Sequence, residues 1–378
     1  MRGMPAWVVV ATAVAAGGCG PVGASGGGGE ALDAGLPHGA AKDASGSGPG
    51  TGVSHPQSTD GGSQATTPLP SDASSPGGYT VNGPTIYDAS HKAHLFHGVD
   101  RPSLEWSPSG EQLSQADYAT MASWHANVVR IALNQDFWLS DSPAHDPGYA
   151  ALVDTQVQWA EAAGLDVILD LHWSDKGDYS QTPAQQRMAD AHSATFWTEV
   201  AARYKGDGRV LYELYNEPHD VPWDVWLNGG PSGDGFTVTG MQALYDAVRG
   251  AGAENLVIIG GLQFAYDLSG VAAYRVQGHN IVWATHPYNQ TGKQPGNWDA
   301  GFGSLAATDP VMATEFGDSK SCGADYDTTL IAYADAHHVS WSAWAWYVSS
   351  CTFPSIITDW SGTPNAAGDA VKSALAAY

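Results

Sequence analysis

From Tyr79 to the last residue, short apolar runs alternate with longer stretches in which apolar positions recur three and four residues apart. A continuous apolar run of four to eight residues is typical of a strand that is buried on both faces. Eight such runs predict eight strands, which cover residues 95–99, 127–133, 167–172, 210–215, 256–260, 281–286, 311–316 and 339–346.

The stretches between these runs have the spacing of amphipathic helices, with apolar positions on one face. Ser114 is suited to cap the N-terminus of the first helix, and Gly164 is suited to end the second. The predicted helices cover residues 114–125, 149–163, 183–204, 239–251, 324–337 and 365–377.

This alternation predicts an α/β fold in which a parallel sheet is covered by helices. Eight strand–helix units in about 300 residues are the usual content of a (β/α)8 TIM barrel. A small N-terminal β-hairpin, within residues 79–97, precedes the barrel. A doubly wound open sheet is the alternative, and it is disfavoured because no glycine-rich phosphate-binding turn follows the first strand.

The composition changes sharply before residue 79. Residues 19–78 are rich in Gly, Ser and Pro and have few large apolar side chains, so we expect a disordered linker. Residues 1–18 contain Arg2 followed by an apolar run that is too short to span a bilayer, as in a signal peptide. The small residues before Cys19 resemble a lipoprotein signal, which implies lipidation of Cys19 and attachment to a membrane. An ordinary signal peptide is the alternative.

Export changes what is expected of the other two cysteines. An exported chain folds in an oxidising compartment, so we predict a disulfide between Cys322 and Cys351. We expect a monomer at the cell surface or outer membrane, or otherwise in the medium. The formal net charge of −24, with only 15 Lys and Arg, argues against a nucleic-acid partner.

Polar and aromatic side chains stand where most of the predicted strands end. In a barrel of this kind, the carboxyl ends of the strands form the functional face. The second to fourth and sixth to eighth strands together deliver Arg130, His172, Trp173, Asn216, Glu217, His286, Tyr288, Glu315, Trp344 and Trp346.

Glu217 and Glu315 end the fourth and seventh strands, and two facing carboxyl groups suit glycoside hydrolysis with retention. One acid protonates the leaving oxygen and the other carboxylate attacks the sugar. In retaining enzymes the two carboxyl groups are roughly 5–5.5 Å apart. We expect Arg130 to keep Glu315 ionised. A less charged setting would raise the pKa of Glu217.

The ordered set of strand-end motifs resembles glycoside hydrolase family 5, the cellulase-type retaining β-glycosidases. The motifs are Val-Val-Arg130-Ile, Asp-Leu-His172-Trp, Asn216-Glu217-Pro, His286-Pro-Tyr288, Thr-Glu315-Phe-Gly and the tryptophan-rich last strand. The resemblance spans residues 79–378. It implies a catalytic domain that needs no cofactor and cleaves a β-linked polysaccharide, most commonly β-1,4-glucan. Mannan, xylan and xyloglucan remain alternatives.

The resemblance also implies individual roles. Glu217 would be the acid/base and Glu315 the nucleophile, while Asn216 would bind the sugar 2-hydroxyl. Arg130 and Tyr288 would position Glu315. The resemblance further implies that His172, His286 and Trp344 shape the sugar subsite, with Trp346 as the alternative stacking residue. Trp173 falls near the loops of the same face, where its flat ring would suit a sugar, so we expect a further contact there.

Two other functions compete with a retaining hydrolase. Fourteen histidines suggest a metal-dependent hydrolase, but the first strand carries His94 and His97 at a spacing that points them to opposite sides. We therefore expect no catalytic metal. A sugar-binding barrel without activity is the second alternative, and the presence of both glutamates argues against it.

Overall fold

The computed structural model describes residues 78–378. The predicted signal peptide, Cys19 and nearly all of the predicted linker lie outside the described residues. Among the described residues, no helix is both long enough and apolar enough to cross a membrane.

A small antiparallel sheet opens the described part of the chain. Its three strands are β1 (Thr80–Asn82), β2 (Thr85–Tyr87) and β3 (Ala93–His94), in the order β1-β2-β3. The prediction of a hairpin missed the first turn, at Gly83 and Pro84, where Gly83 has φ of +58°. Glycine adopts this conformation without strain, so one predicted strand becomes two.

Eight parallel strands close into a barrel, which confirms the predicted fold. Neighbours in the barrel follow the chain order, and the last strand pairs with the first. The barrel strands are β4 (His97–Arg101), β5 (Val128–Asn134), β6 (Asp166–Trp173), β7 (Val210–Glu213), β10 (Val257–Gly260), β11 (Ile281–Thr285), β12 (Val311–Ala313) and β13 (Ser340–Ala343).

Helices surround the barrel, and a short ribbon of β8 (Gly230–Pro231) and β9 (Thr237–Val238) lies in the insertion after β7. The α-helices are α1 (Gln115–Ser123), α2 (Gln135–Trp138), α3 (Tyr149–Ala162), α4 (Ser193–Tyr204), α5 (Trp223–Asn228), α6 (Met241–Gly250), α7 (Asp325–Ala336) and α8 (Ala366–Leu375). Short 3₁₀ and π turns cover much of the connection between β11 and β12.

The prediction of a helix from residue 183 was wrong in its first ten residues. Ala184 pairs with Ser174 in an isolated antiparallel bridge, with N···O distances of 3.1 and 2.9 Å. This pairing holds the segment in an extended form, and α4 begins only at Ser193. The helical spacing was therefore overridden by a tertiary contact.

The interior of the barrel has an apolar layer near the amino ends of the strands and a polar layer nearer their carboxyl ends. Val128, Ile168 and Leu211 belong to a buried cluster that also contacts the N-terminal sheet through Ile86. Since successive strand residues point to opposite faces, residues two positions further on share the same interior side. These residues include Arg130, Asp170 and Glu213, so the interior becomes charged towards the carboxyl ends of the strands.

Candidate active site

Glu217 and Glu315 face each other across the barrel mouth. The closest oxygens of the two carboxyl groups and a nitrogen of His286 all lie within 4.8 Å of one another. Glu315 is 3% exposed, whereas Glu217 is more accessible. This separation agrees with the short carboxyl distance of retaining glycosidases, roughly 5–5.5 Å.

Glu315 is held by two donors. Arg130 Nη1 donates to Oε1 at 2.6 Å, and the Tyr288 hydroxyl donates to Oε2 at 2.6 Å. Burial and neighbouring carboxylates, Glu315 first among them, raise the pKa of Tyr288 well above its usual value, so its hydroxyl remains a donor. The carboxylate of Glu315 is thereby fixed in orientation, as a nucleophile requires.

Arg130 is fully buried and organises the polar layer. Its Nε donates to Glu213 Oε2 at 2.6 Å, and its Nη2 donates to Asn216 Oδ1 at 2.8 Å. The same Nη2 lies 3.0 Å from Asp170 Oδ2, and Asp100 lies 3.9 Å from the guanidinium. One arginine therefore orients Glu315 and the amide that precedes Glu217.

The carboxyl groups around Arg130 differ in their pKa values. Burial alone would raise the pKa of Glu213, but Arg130 and His286 outweigh it and lower the pKa to about 2. Burial and nearby carboxylates raise the pKa values of Asp100 and Asp170 well above the usual range, against the attraction of Arg130. A single guanidinium cannot balance four ionised carboxylates in a buried site.

A chain of hydrogen bonds connects Glu213 to Glu217. The Thr314 hydroxyl donates to Glu213 Oε1 at 2.8 Å, so it accepts from His286 Nε2 at 3.0 Å. The opposite nitrogen, Nδ1, lies 3.1 Å from Glu217 Oε1. His286 and Glu217 can therefore share one proton across this hydrogen bond.

The expectation that a weakly charged setting raises the pKa of Glu217 was wrong for the free protein. Burial acts in that direction, but His286, Lys293 and Gln185 outweigh it and lower the pKa to about 2. Burial alone would lower the pKa of His286, yet Glu315, Glu213 and Glu217 raise it to about 10. The shared proton therefore lies on His286, one hydrogen bond away from the carboxylate.

Asn216 is oriented by two partners. Its Oδ1 accepts from Arg130, and its Nδ2 donates to His172 Nε2 at 3.2 Å. His172 Nδ1 then carries the hydrogen that is donated to Asp170 Oδ2 at 2.6 Å. Burial lowers the pKa of His172 to about 4, so the ring is neutral. The second N–H of Asn216 remains for a substrate hydroxyl.

The three predicted tryptophans lie in different surroundings. Trp344 stacks on His172 with ring centroids 5.4 Å apart and clusters with Tyr288, so it belongs to the site. Trp173 is partly exposed next to Trp106, at 6.4 Å. Trp346 is not brought to the site, because it is fully buried against Trp124 of the outer layer at 4.7 Å.

The reason lies at the end of the last barrel strand. Residues 344 and 346 were expected to share a face, but β13 ends at Ala343, before both of them. The alternation of a regular strand therefore does not apply to these two positions.

The predicted disulfide is present. Cys322 and Cys351 are bonded, with Cα atoms 4.9 Å apart. It joins the loops that follow β12 and β13, beside Glu315 and Trp344.

Two neighbours of Glu217 were missed by the sequence analysis. Gln185 Nε2 donates to Glu217 Oε2 at 2.5 Å, from the segment wrongly predicted as helix. Lys293 is 8% exposed, its Nζ donates to the His286 carbonyl at 3.2 Å, and its charge lowers the pKa of Glu217. Neither residue follows directly after a strand, so no local pattern pointed to it.

The carboxylates under Arg130 could have been found. Glu213 lies three residues before Asn216, and Asp170 lies two residues before His172. Each interrupts an apolar strand with a charge, and a charge at such a position requires a buried partner.

Comparisons with known proteins place the chain in a family. The family model for cellulase, glycosyl hydrolase family 5, matches residues 87–350. Endoglucanase N from Pectobacterium atrosepticum is 24% identical over 277 residues, which are 71% of this chain and 57% of that protein. Endoglucanase Z from Dickeya dadantii is 29% identical over 220 residues, which are 56% of this chain and 45% of that protein. The chain spans about half the length of the curated relatives it matches.

Solved structures show the same fold. A β-glucanase from Saccharophagus degradans in complex with cellotetraose aligns with a TM-score of 0.66 at 23% identity, covering 82% of this chain and 98% of that one. The catalytic domain of an endoglucanase from Thermobifida fusca aligns with a TM-score of 0.63 at 21% identity, covering 79% of this chain and 97% of that one. Because the family model matches well over half of its residues, the chain belongs to glycosyl hydrolase family 5.

Proposed function

We propose that the protein is a retaining glycoside hydrolase that cuts β-1,4-glucan within the chain, by double displacement. The observation that carries this proposal is the facing pair of Glu217 and Glu315, with carboxyl oxygens less than 5 Å apart. This distance leaves no room for the water molecule that an inverting enzyme places between substrate and base.

In the first step, Glu315 attacks the anomeric carbon, and the bond to the leaving sugar breaks. Glu217 first takes the proton from His286 Nδ1 across the 3.1 Å hydrogen bond and then delivers it to the leaving oxygen, so Glu217 is ionised at the end of this step. Asn216 binds the 2-hydroxyl, where contacts strengthen in the transition state. In the second step, Glu217 takes a proton from water, and the glycosyl–Glu315 bond is hydrolysed.

The names of the curated relatives support glucan as substrate, since they are endoglucanases. Mannan, xylan and xyloglucan are the other candidates within the same reaction. Initial rates on carboxymethylcellulose, mixed-linkage β-glucan, glucomannan and arabinoxylan distinguish them. A fall in viscosity that precedes the release of reducing sugar indicates endo action.

Variants of the two glutamates test the reaction itself. Glu315→Gln keeps the shape of the side chain and removes the nucleophile, so we expect kcat to fall by about 10⁴-fold or more. A 2-fluoro glycoside should label Glu315 in the wild type, as identified by peptide mass spectrometry. Wild-type activity in Glu315→Gln would overturn the assignment of Glu315 as the nucleophile. Inactivity of both proteins with retained binding would favour the sugar-binding alternative.

We also propose that the protein is exported and lipidated on Cys19. Arg2, the apolar run of residues 6–16 and the small residues before Cys19 support this proposal. Full-length protein should partition into the membrane fraction and incorporate labelled palmitate. Cys19→Ser should abolish both, whereas an ordinary signal peptide would leave the wild type soluble and unlabelled.

A further inference from the structure

A second group of ionisable side chains lies on the carboxyl side of β5 and β6, and the reaction does not use it. We call Asp136, Asp175, Asp190 and His192 the Asp136 cluster. Asp136 is in α2, Asp175 follows β6 by two residues, and the other two directly precede α4. The cluster thus joins three separate segments. None of its members is hydrogen bonded or ion paired to Glu217, Glu315 or Arg130.

Asp136 is a buried carboxylate without a partner. Its side chain is 1% exposed, and neither carboxyl oxygen has a hydrogen-bond donor. The Nδ1 atom of His192 is also buried and without a hydrogen bond. One oxygen each of Asp136 and Asp175 and one nitrogen of His192 lie within 4.8 Å of one another. Unsatisfied atoms from different segments therefore converge on one point.

The other members are held in place by the protein. Asp175 accepts from the backbone N–H groups of Gly177, at 2.8 Å, and of Tyr179. Asp190 accepts twice from Gln135 Nε2, at 2.9 and 2.8 Å. The His192 ring stacks on Tyr179 at 4.0 Å. These contacts fix the side chains before any ligand binds, as a preformed site requires.

The negative charge of the cluster is not balanced by protein cations. Among residues 78–378, no Lys or Arg forms an ion pair with Asp136, Asp175 or Asp190. A buried carboxylate without partner or counter-charge is costly, and a bound cation would remove that cost.

We propose that the Asp136 cluster binds one divalent transition-metal cation of the Zn²⁺ class, through Asp136, Asp175 and His192. The imidazole nitrogen among the ligand atoms favours Zn²⁺ or a similar ion over Ca²⁺ and Mg²⁺, which prefer oxygen ligands only. Asp190 lies with its Oδ1 4.0 Å from His192 Nδ1 and contributes negative charge beside the ion. The ion would tie together the segments after β5, after β6 and before α4. It is a structural brace, separate from the acid/base pair.

The test is a Zn²⁺ titration of the tag-free, chelator-treated full chain by isothermal calorimetry. The Glu315→Gln background is used throughout, because Glu217, His286 and Glu315 also bring three ligand atoms within 4.8 Å of one another. We expect one Zn²⁺ per chain, with an affinity at least tenfold higher than that for Ca²⁺ or Mg²⁺. Asp136→Asn and His192→Gln should each weaken this binding by tenfold or more.

Thermal unfolding provides a second readout. Zn²⁺ should raise Tm of the chelator-treated protein, and Asp136→Asn should abolish that increase. The same variant should not lower Tm of the metal-free protein, because the Asp136 carboxyl group has no hydrogen bond to lose. His279→Gln is the matched control, since His279 pairs with Glu254 at 2.5 Å on the surface. It should leave Zn²⁺ binding unchanged.

Three results would overturn the proposal. The first is the absence of both calorimetric binding and a Tm shift at millimolar Zn²⁺. The second is Zn²⁺ binding that neither Asp136→Asn nor His192→Gln weakens. The third is tighter binding of Ca²⁺ than of Zn²⁺, which would exclude a site of this ligand chemistry.

Discussion

At the scale of single residues, the orientation of Glu217 and Glu315 depends on fully buried side chains. Arg130 links Glu315, Glu213 and Asn216 through three separate nitrogens. Thr314 carries the connection from Glu213 to His286, and thus to Glu217. Glu315 and Glu217 are therefore oriented by one continuous polar network, in which removal of one member leaves others unsatisfied.

The first prediction concerns Thr314. Thr314→Val keeps the volume of the side chain but leaves His286 Nε2 without its acceptor and Glu213 Oε1 without its donor. We expect kcat to fall by about 10- to 100-fold, since the proton shared by His286 and Glu217 is held less firmly. The alkaline limb of the pH profile should move to lower pH.

Thr314→Ser is the matched control because it retains the hydroxyl group. It should keep both the rate and the pH profile close to those of the wild type. An unchanged profile in Thr314→Val would show that Thr314 only fills space.

At the scale of elements, the last barrel strand decides which tryptophan faces the substrate. Trp344 lies against His172 and Trp346 lies against Trp124, although only one residue separates them. The chain leaves the strand at Ala343 and then directs the two rings to opposite sides of the barrel wall.

This difference leads to the second prediction, made on a pair of variants. Trp344→Ala should lower kcat/KM by about tenfold or more, equivalent to ~1.4 kcal/mol, with a small change in Tm. Trp346→Ala should instead destabilise the fold by about 3–5 kcal/mol, because it opens a cavity in the outer core. Kinetics on soluble glucan and urea unfolding measure the two effects.

A stable but inactive Trp346→Ala, together with an active but unstable Trp344→Ala, would contradict the positions of the two tryptophan rings.

The disulfide between Cys322 and Cys351 gives the third prediction. It closes a loop with a sequence separation of 29 residues and joins the segments that follow β12 and β13. On the chain-entropy model, the double variant Cys322→Ala/Cys351→Ala should lose about 3–4 kcal/mol of unfolding free energy. Urea unfolding without reductant measures this loss. Equal unfolding free energies of the variant and the wild type would contradict this prediction. They would mean that the two loops are ordered without the disulfide.

At the scale of the whole molecule, acidity is the dominant property. The chain has a formal net charge of −24, and several carboxyl groups with raised pKa values are buried within the barrel domain. Among the histidines of residues 78–378, His286 has a strongly raised pKa, and it stands among three glutamates. The charge balance of the interior therefore depends on pH.

The fourth prediction follows from His286. Its pKa is about 10 in the folded protein and about 6.5 when unfolded. The folded state thus binds the proton more tightly, and the resulting stabilisation is complete below pH 6.5. It is lost between pH 6.5 and 10, at about 1.4 kcal/mol per pH unit for one proton.

Tm should therefore fall steadily over this range. His97 and His172, whose pKa values are lowered to about 3 and about 4, do not change their contribution there because both are already neutral. His286→Gln should show a shallower decline of Tm than the wild type. Parallel declines in the two proteins would contradict the link to His286.

Much of the site could be predicted because the strands of a parallel barrel all point their carboxyl ends to one face. Polar residues that interrupt or follow apolar runs then converge, as Arg130, His172, Asn216, His286 and Glu315 do. Gln185 and Lys293 could not be found in this way, because loops place them and no local periodicity marks a loop position.

What the sequence determined by itself was the fold and the pair of glutamates that face each other, since both follow from local periodicity and from the order of strand ends. The tertiary structure decided the rest. In the structure, the first part of a predicted helix is extended and Trp346 lies in the core. The proton shared by His286 and Glu217 lies on His286. The tertiary structure also brings the Asp136 cluster together. The physical reason is common to these cases: burial, pairing and charge depend on neighbours that are distant along the chain, and local sequence carries no record of them.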